Sequence, residues 1–249
     1  MKNVRTSNKH LIIVFLSVLT ALNSCIIDEE TSPQPNNKIP TEGLIAYFPF
    51  NGNVDDESGN GNNGTIIGGV TSTADRHGNQ NKAMQFNGTS GYIEVQNSTS
   101  LQSPKNALSI TAWIWIDGYD DIKVAGIVNK TNTSSYGQYG LSYHEWNNPN
   151  NINLYLNQGN VGFPAMVSLG LLQWHFIATI FDGGKMIIYV DGIKLGDKPY
   201  TGVISEDNNP ITIGLDSPGS REYLKGKLDD IRIYNTSLSE EEMNCLYNE

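Results

Sequence analysis

The sequence predicts an all-β protein, two antiparallel sheets stacked as a sandwich with one short helix at the C-terminal end. Three observations predict it. From residue 43 onward, short β-branched and aromatic runs alternate with Gly, Asn and Asp turn clusters. No segment before residue 238 carries a helical period. Many strands over roughly 200 residues, without helices between them, suit two stacked layers rather than βαβ units.

The first segment reads as an address. Lys2, Arg5 and Lys9 precede an apolar run from Leu11 to Leu22, broken only by Ser17 and Thr20. Those 12 residues are too few to span a bilayer as a helix, which takes about 20. They match the parts of a secretory signal. Leu22-Asn23-Ser24-Cys25 resembles the lipobox of bacterial lipoproteins, which implies residues 1–24 as signal peptide and Cys25 as a lipidated N-terminus. The alternative is an ordinary cleaved signal with an incidental Cys25. Residues 25–41 are polar and rich in Thr, Ser, Pro and Asn; such a stretch buries too little apolar surface to fold and is expected to be a tether. Its acidic Asp28-Glu29-Glu30 resembles the surface-export signal of Bacteroidetes lipoproteins, and the alternative is a solvated linker. Together these features predict an outer-membrane lipoprotein exposed at the cell surface, held to the membrane only by its N-terminal lipid.

Residues 42–249 are expected to form one sandwich. The strands expected in order are Leu44–Phe48, Gly91–Val95, Ser109–Ile116, Trp174–Phe181, Met186–Val190, Ile193–Leu195, Ile211–Ile213 and Leu228–Tyr234. Asp182–Lys185 and Asp191-Gly192 are placed as hairpin turns. The closing helix is signalled by Ser239-Glu240-Glu241-Glu242, a capping box flanked by Leu238 and Met243 as a hydrophobic staple. Cys245 reads as a partly buried free thiol.

Composition excludes several classes. Of 249 residues, 26 are Asp or Glu against 16 Lys or Arg, a formal charge of −10. Such a surface repels phosphate backbones, so no nucleic-acid partner is expected. With 2 Cys there is neither a disulfide scaffold nor a Cys-rich zinc site. No G-x-S-x-G elbow or H-E-x-x-H is present, and His77, His144 and His175 are scattered singly. Gly59-Asn60-Gly61-Asn62-Asn63-Gly64 has the spacing of a dinucleotide fingerprint but lacks the strand before and the helix after that a pyrophosphate site requires. It reads as a turn.

Two constellations carry chemistry. The loop around Asp56 combines a short carboxylate with Gly and Asn, the material of a calcium site, since calcium takes six to eight hard oxygens. Asp229 shares strand parity with Ile231 and Ile233 and is expected to point inward, where an unpaired carboxylate is costly. Asp56 and Asp229 are therefore candidate calcium ligands, with Asn60 and Asp230 as additions. The alternative is two turn carboxylates capping backbone N–H groups. The second constellation is Tyr136 to Asn148, rich in aromatics, amides and one carboxylate, as sugar recognition requires. Trp146, Tyr143, Tyr136, Asn147 and Glu145 are its candidate contacts; the alternative is that the tyrosines pack on the sheet and Trp146 lies flat over a neighbouring loop.

A resemblance runs through the same chain. Gly43-Leu44-Ile45-Ala46-Tyr47-Phe48-Pro49-Phe50-Asn51-Gly52 leads into Asp56-Glu57-Ser58-Gly59. Met84-Gln85-Phe86-Asn87-Gly88, Trp174-His175-Phe176, Tyr189-Val190-Asp191-Gly192 and Gly226-Lys227-Leu228-Asp229-Asp230-Ile231-Arg232-Ile233-Tyr234-Asn235 follow. The series resembles the laminin-G-like branch of the concanavalin A-like lectin/glucanase superfamily. That implies a jelly roll, usually with one structural calcium near the Asp-x-Ser-Gly loop and the Leu-Asp-Asp strand, and partners that are glycans or surface proteins. Glucanases of the superfamily carry E-x-D-x-E or E-x-D-x-x-E on one strand. Neither pattern occurs here, so a binding module rather than an enzyme is expected.

Overall fold

A computed structural model describes residues 38–118, 125–131, 137–145, 148–157 and 161–249. Fifteen strands form two sheets, and every strand pair in them is antiparallel. The strands are β1 (Leu44–Phe48), β2 (Gly64–Ile67), β3 (Val70–Thr73), β4 (Ala83–Asn87), β5 (Tyr92–Val95), β6 (Leu108–Ile116), β7 (Ala125–Lys130), β8 (Tyr139–Glu145), β9 (Asn148–Leu156), β10 (Val161–Met166), β11 (Trp174–Phe181), β12 (Lys185–Val190), β13 (Ile193–Pro199), β14 (Ile211–Ile213) and β15 (Lys225–Tyr234). The eight-stranded sheet runs β13-β12-β11-β6-β15-β4-β3, with β1 also paired to β15; the seven-stranded sheet runs β10-β9-β8-β7-β14-β5-β2. The expected all-β sandwich is the observed fold.

Alternation places the core between the layers. Ile110, Ala112 and Ile114 of β6 meet Ile127, Leu141, Ile152 and Leu154 from the other sheet in one buried cluster. The eight-stranded sheet is also covered on its outer face. Phe176, Ala178 and Ile180 of β11 and Tyr234 of β15 pack there with Met243 and Leu246 of α2 (Glu240–Tyr247). Burial on both faces explains why β11 reads as a nearly unbroken apolar run.

The turns behave as their residues dictate. Asp191 and Gly192 both take positive φ, 49° and 77°, the geometry of a two-residue hairpin turn whose twist matches the strands. At α2, the Glu242 N–H donates to Ser239 Oγ at 3.2 Å and the Ser239 N–H donates to Glu242 Oε2 at 2.8 Å, closing the capping box. A second helix, α1 (Thr99–Gln102), is a single turn and too short to leave a period in the sequence. The folded unit also starts earlier than residue 42. Ile39 packs against the α2 cluster, and the Tyr234 hydroxyl donates to the Pro40 carbonyl at 3.1 Å.

The edges β10 and β13 lie beside each other. β13 carries Lys194, Asp197, Lys198 and Pro199, and β10 carries Pro164. Among the described residues, no helix is long and apolar enough to cross a membrane.

Candidate functional site

The Asp56 loop is laced to β1 by its polar side chains. Asp56 Oδ1 accepts from the Tyr47 and Ser58 N–H groups, and Oδ2 accepts from the Asn62 N–H and the Ser58 hydroxyl, all at 2.9 Å. Asn60 Nδ2 donates to the Leu44 carbonyl at 3.2 Å and Asn62 Nδ2 to the Ile45 carbonyl at 2.8 Å. A carboxylate offers about four lone-pair sites, and those of Asp56 are filled by donors. The strand after Gly64 is β2, so the glycine-rich loop leads into a strand and is the turn it was read as.

Asp229 does not point into the core. Asp230 has φ 46°, and the register of β15 against β6 shifts between Asp229 and Arg232. This bulge inserts a residue and reverses parity. Leu228, Ile231 and Ile233 face the core, whereas Asp229 pairs with Trp113 on the outer face. There a guanidinium meets both carboxylates: Arg76 Nη1 lies 2.9 Å from Asp229 Oδ2 and 2.5 Å from Asp230 Oδ2. The Tyr47 hydroxyl donates to Asp230 Oδ1 at 2.7 Å. Arg76 also stacks over Trp113 at 4.9 Å, and Arg232 sits 4.1 Å over the Tyr47 ring while pairing with Glu249 at 2.8 Å. Tyr47, Arg76, Asp229, Asp230 and Glu249 border an open polar cleft of about 190 Å³ that Asn51, Asn79 and Lys82 also line.

Arg76 bridges both carboxylates, and Arg232 Nη2 lies 3.6 Å from Asp230 Oδ1, so the positive charge gathers on Asp230 and leaves Asp229 short of it. Burial, with the Asp230 charge added, raises its pKa to about 7 although Arg76 pulls the other way. Burial likewise drives the Tyr47 phenol well above its usual range.

This donor set does not fit calcium. Asp56 is saturated by N–H and O–H donors, Asn60 turns its amide to a carbonyl, and Asp229 and Asp230 already hold a cation that belongs to the chain. Among the described residues, no group of three or more His, Cys, Asp or Glu is arranged to hold a metal. The signal that sequence reading missed is Arg76, which lies in a turn far along the chain from Asp229.

The aromatic constellation is divided. Trp146, Asn147, Tyr136 and Cys25 lie outside the described residues, and Glu145 is the last residue of β8. Tyr143 is 1% exposed and belongs to the core between the sheets, so its ring offers no face to a sugar. Opposite the core, the seven-stranded sheet carries a polar row that is itself covered: Asn129, Ser142, Asn151 and Asn153 are at most 1% exposed. Ser142 pairs with Asn153 across β8 and β9, and Asn129 with Gly140 across β7 and β8. Asn129 Nδ2 donates to Ser142 Oγ at 3.3 Å, and Ser142 Oγ donates to Asp216 Oδ1 at 3.1 Å. Both amide atoms of Asn151 and the Nδ2 of Asn153 are buried without a hydrogen-bond partner.

On the opposite face, Trp115 and Trp174 pair across β6 and β11 with their rings 6.0 Å apart, edge to face. Trp115 Nε1 donates to Asp117 Oδ1 at 2.9 Å, and Gln85 Nε2 donates to Asp117 Oδ2 at 2.7 Å. The Lys227 ammonium stands 4.5 Å from the Trp115 ring centre.

Residues 87–244, more than half of the chain, match the Laminin_G_3 family of the concanavalin A-like lectin/glucanases superfamily. The chain belongs to that family. It is 24% identical over 184 residues to adhesion G-protein coupled receptor V1 of Danio rerio, a match that covers 67% of this chain and 3% of that receptor. Among solved structures it is similar to domain 4 of AbnA, a GH43 extracellular arabinanase from Geobacillus stearothermophilus, in complex with arabinotriose. The TM-score is 0.67 at 18% identity, covering 82% of this chain and 98% of that one. The binding domain of Paraclostridial Mosquitocidal Protein 1 matches with a TM-score of 0.65 at 20% identity, covering 84% and 52%. The binding domain of botulinum neurotoxin DC in complex with SialylT matches at 0.64 and 16% identity, covering 84% and 52%. The chain thus spans about half of those toxin domains and a small part of the receptor.

Proposed function

We propose that this chain is a non-catalytic binding module for glycans, with the tip of the β8–β9 hairpin as its contact region. The observation that carries the reading is the sandwich fold itself, which recurs in domains solved with arabinotriose and with SialylT. Trp146 and Asn147 occupy the two sequence positions between β8 and β9; with Glu145 and Tyr136 they are the proposed aromatic and polar contacts. The pattern Leu22-Asn23-Ser24-Cys25 supports the further reading that Cys25 anchors the module to the outer membrane at the cell surface.

A glycan array probed with the purified protein tests the function. Binding to at least one oligosaccharide class is expected, with retention lost in Trp146→Ala at an unchanged melting temperature. An array without binding overturns the glycan reading in favour of a protein-binding surface module.

A further inference from the structure

We propose that Trp115, Trp174 and Lys227 form a second carbohydrate-binding surface, on the opposite sheet from the β8–β9 hairpin, that selects sugars bearing a carboxylate. The inference rests on the glycan-binding reading but on different residues.

The platform begins with strand register. Trp174, Trp115, Lys227 and Gln85 are successive partners across β11, β6, β15 and β4, so their side chains stand in one row on the outer face of the eight-stranded sheet. Further along that face the surface is closed, because α2 covers Phe176 and Trp113. At the row itself nothing of the kind intervenes among the described residues, and both indoles remain half-buried. The turn that leads into Trp174 carries exposed apolar side chains: Leu171 is 43% and Leu172 62% exposed. Leu172 holds a left-handed backbone, φ 57°, with its N–H donated to the Ile116 carbonyl at 2.9 Å. A non-glycine residue costs free energy in that conformation, and here it leaves a large apolar side chain exposed two residues before Trp174. Aromatic faces and exposed apolar side chains suit the C–H faces of pyranose rings.

The polar groups of the row specify the rest. Asp117 fixes the Trp115 indole N–H with one oxygen and the Gln85 amide with the other, so both its oxygens are engaged and the Trp115 ring is locked in place. Lys227 is different. Its ammonium rests on the Trp115 ring, and no carboxylate among the described residues pairs with it. In a chain of formal charge −10, a cation held over an indole without an acidic partner is an electrostatic vacancy for an anion. A uronic or sialic acid residue would stack on Trp174 and place its carboxylate on Lys227. A neutral sugar would gain only the stacking.

The test is an array of uronate- and sialate-bearing oligosaccharides printed beside their carboxyl-reduced forms, probed with the wild type, Trp174→Ala, Lys227→Gln and Trp146→Ala. The wild type is expected to retain acidic oligosaccharides over their reduced forms, and Trp174→Ala to lose at least about tenfold of that retention. Lys227→Gln is expected to abolish the preference for the acidic form with a melting temperature within about 2 °C of wild type; it keeps the assay informative should Trp174→Ala fold poorly. Equal retention of acidic and reduced forms by the wild type, or an unchanged preference in Lys227→Gln, overturns the proposal. Loss of acidic retention in Trp146→Ala alone assigns binding to the hairpin and also overturns it. An array empty for every protein defeats the glycan reading itself.

Discussion

At the scale of single residues, the decisive group is Asp229. An Asp in an unfolded chain titrates near 3.9, and in the fold this one titrates at about 7. Between those values the folded protein keeps a proton that the unfolded chain has released. The folded state is therefore favoured below pH 4 by this group, and the advantage drains away as pH rises through the folded value. Chemical denaturation of wild type and Asp229→Asn across pH 4 to 8 is expected to show a falling contribution to stability in the wild type that the amide removes. The same residue marks where the sequence misleads. Its parity with Ile231 and Ile233 predicts an inward side chain. One inserted residue, Asp230, with φ 46°, turns it to the other face. A bulge leaves no periodic trace in a ten-residue strand, so alternation is a sound guide only up to the irregularity.

At the scale of elements, sequence and structure agree best where chemistry is local. The capping box of α2, the Asp191-Gly192 hairpin turn and the doubly buried β11 each follow from a few neighbouring residues. Ser239→Ala is expected to cost about 1 kcal/mol, read as a lower urea midpoint with an unchanged slope. Loss is limited to that because Met243 and Leu246 still dock the helix. What local pattern does not carry is partnership between distant elements. Arg76 meets Asp229 and Asp230 across the fold, and the Trp174–Trp115–Lys227–Gln85 row assembles from four strands. The tyrosines of β8 show the same limit. Tyr143 and Tyr139 are both 1% exposed, and an aromatic-rich strand looks alike whether its rings serve the core or a ligand.

At the scale of the whole molecule, the sandwich carries its own counter-charge. A buried carboxylate needs a cation, and the expectation of calcium followed from that need; the guanidinium of Arg76, with that of Arg232 beside Asp230, meets it instead. Chelation with EDTA, or addition of millimolar calcium, is accordingly expected to leave the melting temperature unchanged. Arg76→Ala is expected to lower stability by about 3–5 kcal/mol, the usual result of stripping one partner from a buried ion pair. A fall in melting temperature on chelation of the wild type would show that a metal contributes after all.

The adjoining edges β10 and β13 bear on how copies of this domain behave side by side. An open sheet border invites another strand to dock along its unpaired amides. Pro164 removes one such amide, Pro199 another, and Lys194, Asp197 and Lys198 place charge along the same border. Along this border a neighbouring molecule would thus find an interrupted, charged backbone ladder rather than one it could extend.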